Sequence, residues 1–141
     1  MSLAGAVKQL VRALIPPPFL TAIVVRRARR HSHRLNAGWG IADLSARLFE
    51  RLGPSVQAGP FAGLQLPREA AAEHIGPYLL GTYEHELHPH WETFLPGTVP
   101  LVVNVGAKFG YYAAGLASRL HAPAIAYDAD PWARKVLRRT A

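Results

Sequence analysis

The sequence contains no cysteine. Without a thiol, the protein can form neither a disulfide nor a thiolate metal site, and a cysteine nucleophile is excluded. The lack of disulfides does not fix the compartment, but it favours the reducing cytoplasm, and a cytoplasmic location is our prediction.

Acidic residues are missing from the first 36 residues, which form a basic N-terminal arm. Seven of the 16 lysines and arginines lie in this arm, and the nine that remain are balanced by nine acidic residues. The net charge of +7 is therefore a property of residues 1–36, and it says little about the partners of the rest of the chain.

The sequence also lacks a long apolar run. A transmembrane helix needs about 20 consecutive apolar residues, whereas the run from Phe19 to Val25 is far shorter and follows three prolines. A secretory signal carries its basic residues before the apolar stretch, but here the main basic run follows it. We therefore predict neither a transmembrane helix nor secretion.

The basic arm contains a predicted helix and a run of basic residues. Apolar residues at helical spacing predict a short amphipathic helix over residues 3–15, which either packs on the main body or lies on anionic lipid. The basic run at residues 26–34 has no interleaved aromatic residues to stack on bases, so we expect no specific nucleic-acid site there. We interpret this run as a solvated linker with, at most, weak membrane-surface contact.

Residues 37–98 form a lead-in region of short helices and a small hairpin. Helical periodicity followed by Gly53-Pro54 predicts a helix over residues 41–52. Alternating apolar and polar residues predict the hairpin over residues 55–67, and a brief helix over residues 68–75 should end at Gly76-Pro77. A last helix is expected over residues 82–95, in which Pro89 marks a kink or a fresh start.

The strongest functional pattern begins at Leu101. The β-branched run from Leu101 to Val105 predicts a parallel strand buried on both faces. It leads into the loop Gly106–Gly110, where glycine at both ends permits a sharp turn and close approach of a ligand to the backbone. Apolar spacing over residues 113–120 then predicts a helix whose positive N-terminus faces this loop and favours a phosphate or carboxylate group.

An acidic residue follows the next predicted strand. This second short strand, at residues 124–127, is also expected to be buried, and Asp128 lies at its carboxyl end. At this distance from the glycine loop, an acid accepts hydrogen bonds from ribose hydroxyls in dinucleotide-type folds. A plain strand-to-helix turn is the alternative for the loop alone, but the combined pattern favours a cofactor site. The loop lacks the full G-x-G-x-x-G spacing, so a pyrophosphate would lack its closest-approach glycine, whereas S-adenosylmethionine carries no pyrophosphate.

Residues 103–117, followed by Ala-Tyr-Asp-Ala-Asp-Pro at residues 126–131, resemble the cofactor-binding opening of FkbM-type class I S-adenosylmethionine-dependent methyltransferases. The similarity extends upstream through residues 59–64 and 79–89. This resemblance implies an α/β fold that begins a Rossmann-like sheet. It also implies that Gly106 and Gly110 line the methionine part of the cofactor and that Asp128 binds the ribose. We include Ala107, in the same loop, among the predicted cofactor contacts. Asn104 stands where many class I members place an acid against the cofactor's ammonium group.

The implied activity is methyl transfer to an oxygen or nitrogen acceptor, and sugars, lipids and small metabolites all remain open as acceptors. Because the family's sheet has more strands than residues 99–141 supply, we expect a truncated or partial methyltransferase whose catalytic residues are unidentified. A non-catalytic module whose sheet is completed by a partner chain is the alternative. A third possibility is an adaptor that uses the basic arm to bind a membrane surface or a nucleic acid.

Three histidines at positions 85, 88 and 90 lie among acidic residues just before the first strand. Their spacing is not H-E-x-x-H and Pro89 displaces His90, so we predict no metal site. A solvated helix face is the simplest interpretation. Contact of Tyr83 and Glu84 with the cofactor is the alternative, and we include Glu84 among the predicted cofactor contacts.

Overall fold

The computed structural model describes residues 17–140, and the helix expected over residues 3–15 lies outside them. The chain combines helices with a small parallel sheet and therefore has a mixed α/β architecture. Its elements, in chain order, are α1 (Pro17–Gly38), α2 (Ile41–Leu52), a 3₁₀ turn (Arg68–Ala72), α3 (Gly76–Leu80), a second 3₁₀ turn (His85–Leu87), α4 (His88–Phe94), β1 (Val102–Val105), α5 (Tyr111–Leu120), β2 (Ala124–Tyr127) and α6 (Pro131–Leu137).

Helix α1 contains the basic run that the sequence suggests is a linker. Prolines are tolerated in a first helical turn because no intrahelical N–H bond is needed there, and alanine and arginine are strong helix formers. The prediction that the basic run is solvated agrees with the structure, because its described basic side chains are all exposed: Arg26, Arg27, Arg30, His31 and Arg34. Helix α2 has the predicted bounds, and Gly53 ends it by donating its N–H to the Phe49 carbonyl at 2.9 Å.

The predicted hairpin over residues 55–67 is a chain reversal with a single antiparallel bridge between Ser55 and Gln65. Gly59 and Gly63 both have positive φ angles, so the chain turns too tightly for longer strands to form. The reversal places the Phe61 side chain in the core, where it is 1% exposed.

Proline begins two of the next helices. The helix expected over residues 68–75 is a 3₁₀ turn that ends at Ala72. Gly76-Pro77, predicted to end that helix, instead begins α3, because Pro77 sits in the first turn, where its missing N–H costs no hydrogen bond. Pro89 begins α4 in the same way, which confirms the predicted fresh start.

One hydrophobic core joins the lead-in region to the segment with the sheet. Its buried members include Phe61, Leu66, Ile75 and Leu79 from the first region and Phe109, Tyr111 and Val136 from the second. Leu48 and Phe49 of α2 pack against the same cluster. The loop between β1 and α5 is therefore supported by core residues that lie far upstream in the sequence, such as Phe61 and Leu66.

The sheet consists of β1 and β2 in parallel, with Val102 opposite Ala124 and Val105 opposite Tyr127. Helix α5 covers one face, where Val102 packs with Leu120 and Ala122. On the other face Val103, Val105, Ile125 and Tyr127 are 57%, 78%, 43% and 57% exposed. The prediction that both strands are buried on two faces is thus wrong for residues 17–140, because helices from this part of the chain pack on one side only.

Candidate functional site

The loop after β1 folds tightly against the end of β2. The backbone N–H groups of Gly106 and Ala107 donate to the Tyr127 carbonyl at 2.8 and 3.0 Å. Gly106, Lys108 and Gly110 have φ angles of +78°, +50° and +92°, so the turn uses the left-handed region three times within five residues. The predicted strand, glycine loop and helix are therefore confirmed as one compact turn at the carboxyl end of the sheet.

The two loop glycines are required for different reasons. A Cβ atom on Gly106 would meet no atom within 4 Å, so this position is open to a ligand. On Gly110 it would lie 2.4 Å from Cδ1 of Leu137, in α6. Gly110 therefore provides room for α6, and its predicted contact with a cofactor stays a prediction.

Hydrogen bonds hold the Asp128 side chain against the loop. Its Oδ2 atom accepts from the Lys108 N–H at 2.8 Å, and its Oδ1 atom accepts from the Asp130 N–H at 2.7 Å. The side chain of Arg134 donates to the backbone carbonyl of Asp128 at 2.7 Å. Each carboxylate oxygen has a second lone pair, so Asp128 can still accept hydrogen bonds from hydroxyl groups while it holds the loop.

Asn104 carries a polar atom without a hydrogen-bond partner. The residue lies on β1 opposite Ala126, two positions before Gly106. Its Oδ1 atom is buried and, within residues 17–140, accepts no hydrogen bond. A buried acceptor without a donor costs about 1–3 kcal/mol, which is the kind of cost that a bound ligand or water can remove.

Glu84 lies against the first turn of α5, although it is 28 positions upstream of Tyr112 in the sequence. It adopts a φ angle of +47° at the start of the second 3₁₀ turn, and its carboxylate accepts a hydrogen bond from the Tyr112 hydroxyl. Burial, and then the hydrogen bond to Glu84, raises the pKa of Tyr112. The Tyr112 hydroxyl thus links Glu84 to the helix that follows the glycine loop.

A cluster of aromatic rings surrounds this link. The Tyr78 and Tyr83 rings are stacked with centroids 3.8 Å apart, and Tyr78 meets Phe109 edge to face at 4.8 Å. The Tyr111 side chain is 3% exposed, and its hydroxyl has no hydrogen-bond partner within the described residues. Burial, and then the Glu84 charge, raises the pKa of Tyr111 to about 12.

Lys108 belongs to the site, and sequence reasoning did not identify it. Its ammonium nitrogen lies 5.4 Å from the Tyr78 ring centroid and 5.3 Å from that of Phe109. Burial lowers the pKa of Lys108, and the Glu73 charge opposes this shift. Tyr78 lies 30 positions upstream of Lys108, so no local sequence signal could have paired them.

Neither a metal cluster nor a membrane-spanning helix is found within residues 17–140. Among the side chains that the structure describes, no group of three histidine, aspartate or glutamate residues could hold a metal ion. His88 instead contacts the Tyr83 carbonyl, with Nε2 and the oxygen 3.3 Å apart. No helix in the same range combines the length and the apolar character needed to cross a bilayer.

The structure also has a groove of about 790 Å³ that runs over α5 and α6 beside β2. Small apolar residues such as Ala113, Ala117 and Ala126 line it, together with Leu137. None of the six residues predicted from the sequence to contact a cofactor lies in this groove. The predicted site therefore lies at the carboxyl end of the sheet and outside the groove.

Comparisons of this chain with protein-family models, with curated proteins and with solved structures found no match. The function of the chain is therefore inferred from the residues of the site and from the sequence resemblance.

Proposed function

We propose that this chain forms the S-adenosylmethionine-binding part of a Rossmann-like, FkbM-type class I methyltransferase that acts in the cytoplasm. The observation that carries the proposal is the arrangement at the carboxyl end of the sheet. There the Asp128 carboxylate is held at the loop by the Lys108 amide, and the side-chain position of Gly106 is open. A ribose-binding acid beside an open glycine is the arrangement that an adenosine cofactor requires.

The residues present fit this cofactor. Asp128 retains lone pairs for ribose hydroxyls, and Gly106 allows the cofactor to approach the backbone. The partnerless Oδ1 atom of Asn104 can accept a hydrogen bond from the cofactor's ammonium group. Because asparagine carries no charge, this bond should be weaker than one to a carboxylate. When bound, the cofactor supplies the electrophilic methyl group.

A pyrophosphate cofactor is a poorer fit because of Lys108. In dinucleotide-binding loops, the residue at this position is a glycine that lets the pyrophosphate reach the backbone. Here the Lys108 N–H donates to Asp128 and is not available to a phosphate oxygen. This hydrogen bond supports S-adenosylmethionine over a dinucleotide.

The contribution of the chain to catalysis would be positioning. The Glu84–Tyr112 hydrogen bond ties the lead-in region to the first turn of α5, directly after the glycine loop. A firmly held loop keeps the methyl donor in one orientation toward an oxygen or nitrogen acceptor, and such alignment supplies much of the barrier reduction in transfer reactions. A sugar, a lipid or a small metabolite could each serve as the acceptor.

Binding of S-adenosylhomocysteine to the full chain, measured by isothermal titration calorimetry, tests the proposal. We expect Gly106→Val to weaken binding at least about tenfold, because the branched side chain enters the space beside the cofactor. Gly40→Val is the matched control, since Gly40 also has a positive φ angle of +67° and no atom within 4 Å of its Cβ position. Equal binding by both variants would show that the site is assigned wrongly.

The exposed sheet face favours a second candidate, a non-catalytic module completed by a partner chain. Val103, Val105 and Tyr127 are each more than half exposed on this face. Exposed apolar side chains on one face mark a surface that another polypeptide can cover. If the parent protein fails to bind S-adenosylhomocysteine at all, this second candidate becomes the better account.

A further inference from the structure

Among the described residues, helix α1 presents one face that carries several arginines. Phe19, Ile23, Arg26, Arg30 and Arg34 recur every three or four residues, so they lie along the same face of the helix. All five side chains are exposed, and Arg27 adds a further positive charge beside them. A shallow groove runs along this face between Ile23 and Arg34.

No acidic residue precedes α1 or lies within it in the sequence. The sequence contains no aspartate or glutamate before Asp43. Among the described residues, the arginines that form salt bridges are Arg47, Arg68 and Arg139. Because Arg26, Arg30 and Arg34 are spaced four residues apart, they repel one another and destabilise the isolated helix. An anionic surface lying against α1 would remove this repulsion.

Exposed apolar side chains accompany the positive charge. Phe19 and Ile23, in the first half of the helix, are 65% and 55% exposed. Trp39, directly after the end of α1, is 81% exposed. Tryptophan is favoured at the boundary between lipid headgroups and acyl chains, because its ring is apolar and its N–H is polar. Arginine and exposed apolar residues thus occur together along the helix.

We propose that α1 and Trp39 bind the surface of a membrane that contains anionic lipids. The arginines would contact lipid phosphates, and Phe19, Ile23 and Trp39 would enter the headgroup region. A nucleic acid offers the same phosphates but no apolar phase for Phe19 and Ile23, so the exposed apolar residues favour the lipid surface. This proposal goes beyond cofactor binding and does not depend on it.

Flotation of the full chain with vesicles tests the proposal. We expect binding to phosphatidylcholine vesicles that contain phosphatidylserine, no binding to pure phosphatidylcholine, and weaker binding as salt is raised. Substitution of Arg26, Arg30 and Arg34 by glutamine should weaken binding about 100-fold, at about fivefold for each arginine. The matched control replaces Arg51, Arg119 and Arg138 by glutamine, which removes the same charge from exposed positions elsewhere. The control should bind almost as the parent does.

Two results would overturn the proposal. Equal losses in the two triple variants would mean that overall charge, and not α1, attracts the protein to lipid. Tighter binding to a DNA or RNA oligonucleotide than to the vesicles would assign the basic face to nucleic acid. The double variant Phe19→Ala with Ile23→Ala separates the partners further, because it should weaken vesicle binding at least about tenfold and leave oligonucleotide binding unchanged. Circular dichroism of each variant confirms that its helix content is retained.

Discussion

Tyr111 and Tyr112 are neighbours in the first turn of α5, but their hydroxyl groups have different surroundings. The Tyr112 hydroxyl donates to Glu84, whereas the buried Tyr111 hydroxyl has no partner within the described residues. Neighbouring positions on a helix point about 100° apart, so one ring enters the core and the other reaches the lead-in region. The two adjacent tyrosines of the sequence therefore have different energetic roles.

This difference predicts opposite effects of the same substitution. Tyr112→Phe should lower the free energy of unfolding by about 1–3 kcal/mol, because it leaves the Glu84 carboxylate without its donor. Tyr111→Phe should leave the free energy of unfolding unchanged or raise it by up to about 1 kcal/mol, because it removes a buried hydroxyl that lacks a partner. Urea denaturation of both variants measures the two effects. Equal destabilisation would contradict the assigned roles.

At the scale of elements, α5 holds the site against the core through Gly115. A Cβ atom at Gly115 would lie 2.6 Å from the ring of Phe61, which is itself buried by the chain reversal at residues 55–65. The same helix also contacts both strands of the sheet. It also couples the glycine loop, which precedes α5, to residues of the lead-in region.

We therefore expect Gly115→Ala to destabilise the protein by about 1–3 kcal/mol, because the new methyl group overlaps the buried ring of Phe61. At an exposed helical site the same change would be stabilising, by about 1 kcal/mol. Gly38→Ala is the control, since no atom lies within 4 Å of the Cβ position of Gly38. Thermal unfolding should show a lower midpoint for the first variant only. If both variants behave alike, Phe61 does not limit the packing of α5.

At the scale of the whole molecule, burial of the tyrosine cluster couples stability to alkaline pH. The pKa of Tyr111 is raised from 10.0 to about 12, so the folded state keeps a proton that the unfolded chain releases above pH 10. This contribution to stability is complete below pH 10 and is lost as the pH rises toward 12. The lowered pKa of Lys108 acts in the opposite direction below pH 10.5, since the folded state there binds fewer protons than the unfolded chain.

The free energy of unfolding should therefore fall as the pH is raised above 10. Tyr111→Phe should reduce this fall, whereas Tyr127→Phe, at a site that is 57% exposed, should not change it. Urea denaturation at a series of alkaline pH values gives the slope for each variant. An identical slope in all three proteins would mean that Tyr111 does not retain its proton on folding.

Local sequence patterns were sufficient to predict the elements that depend on residues close together in the sequence. The periodicity and terminal glycine of α2 gave its bounds, and Pro89 gave the start of α4. The order of β1, glycine loop, α5 and β2 also follows from the sequence, because apolar runs and glycines act over a few residues. Helix α1 was missed because a basic run with prolines before it suggested a solvated linker.

Only the tertiary structure decided which residues meet across long stretches of chain. Glu84 reaches Tyr112, and Lys108 lies against Tyr78, because a shared core holds these segments together. The same holds for Gly110, whose sequence context resembles a ligand loop but whose missing side chain makes room for Leu137. Periodicity and turn chemistry depend on neighbours in sequence, whereas the choice of packing partner depends on how all the elements fill one core. The sequence by itself thus determined the order of elements at the candidate site, and the packed core decided which side chains complete it.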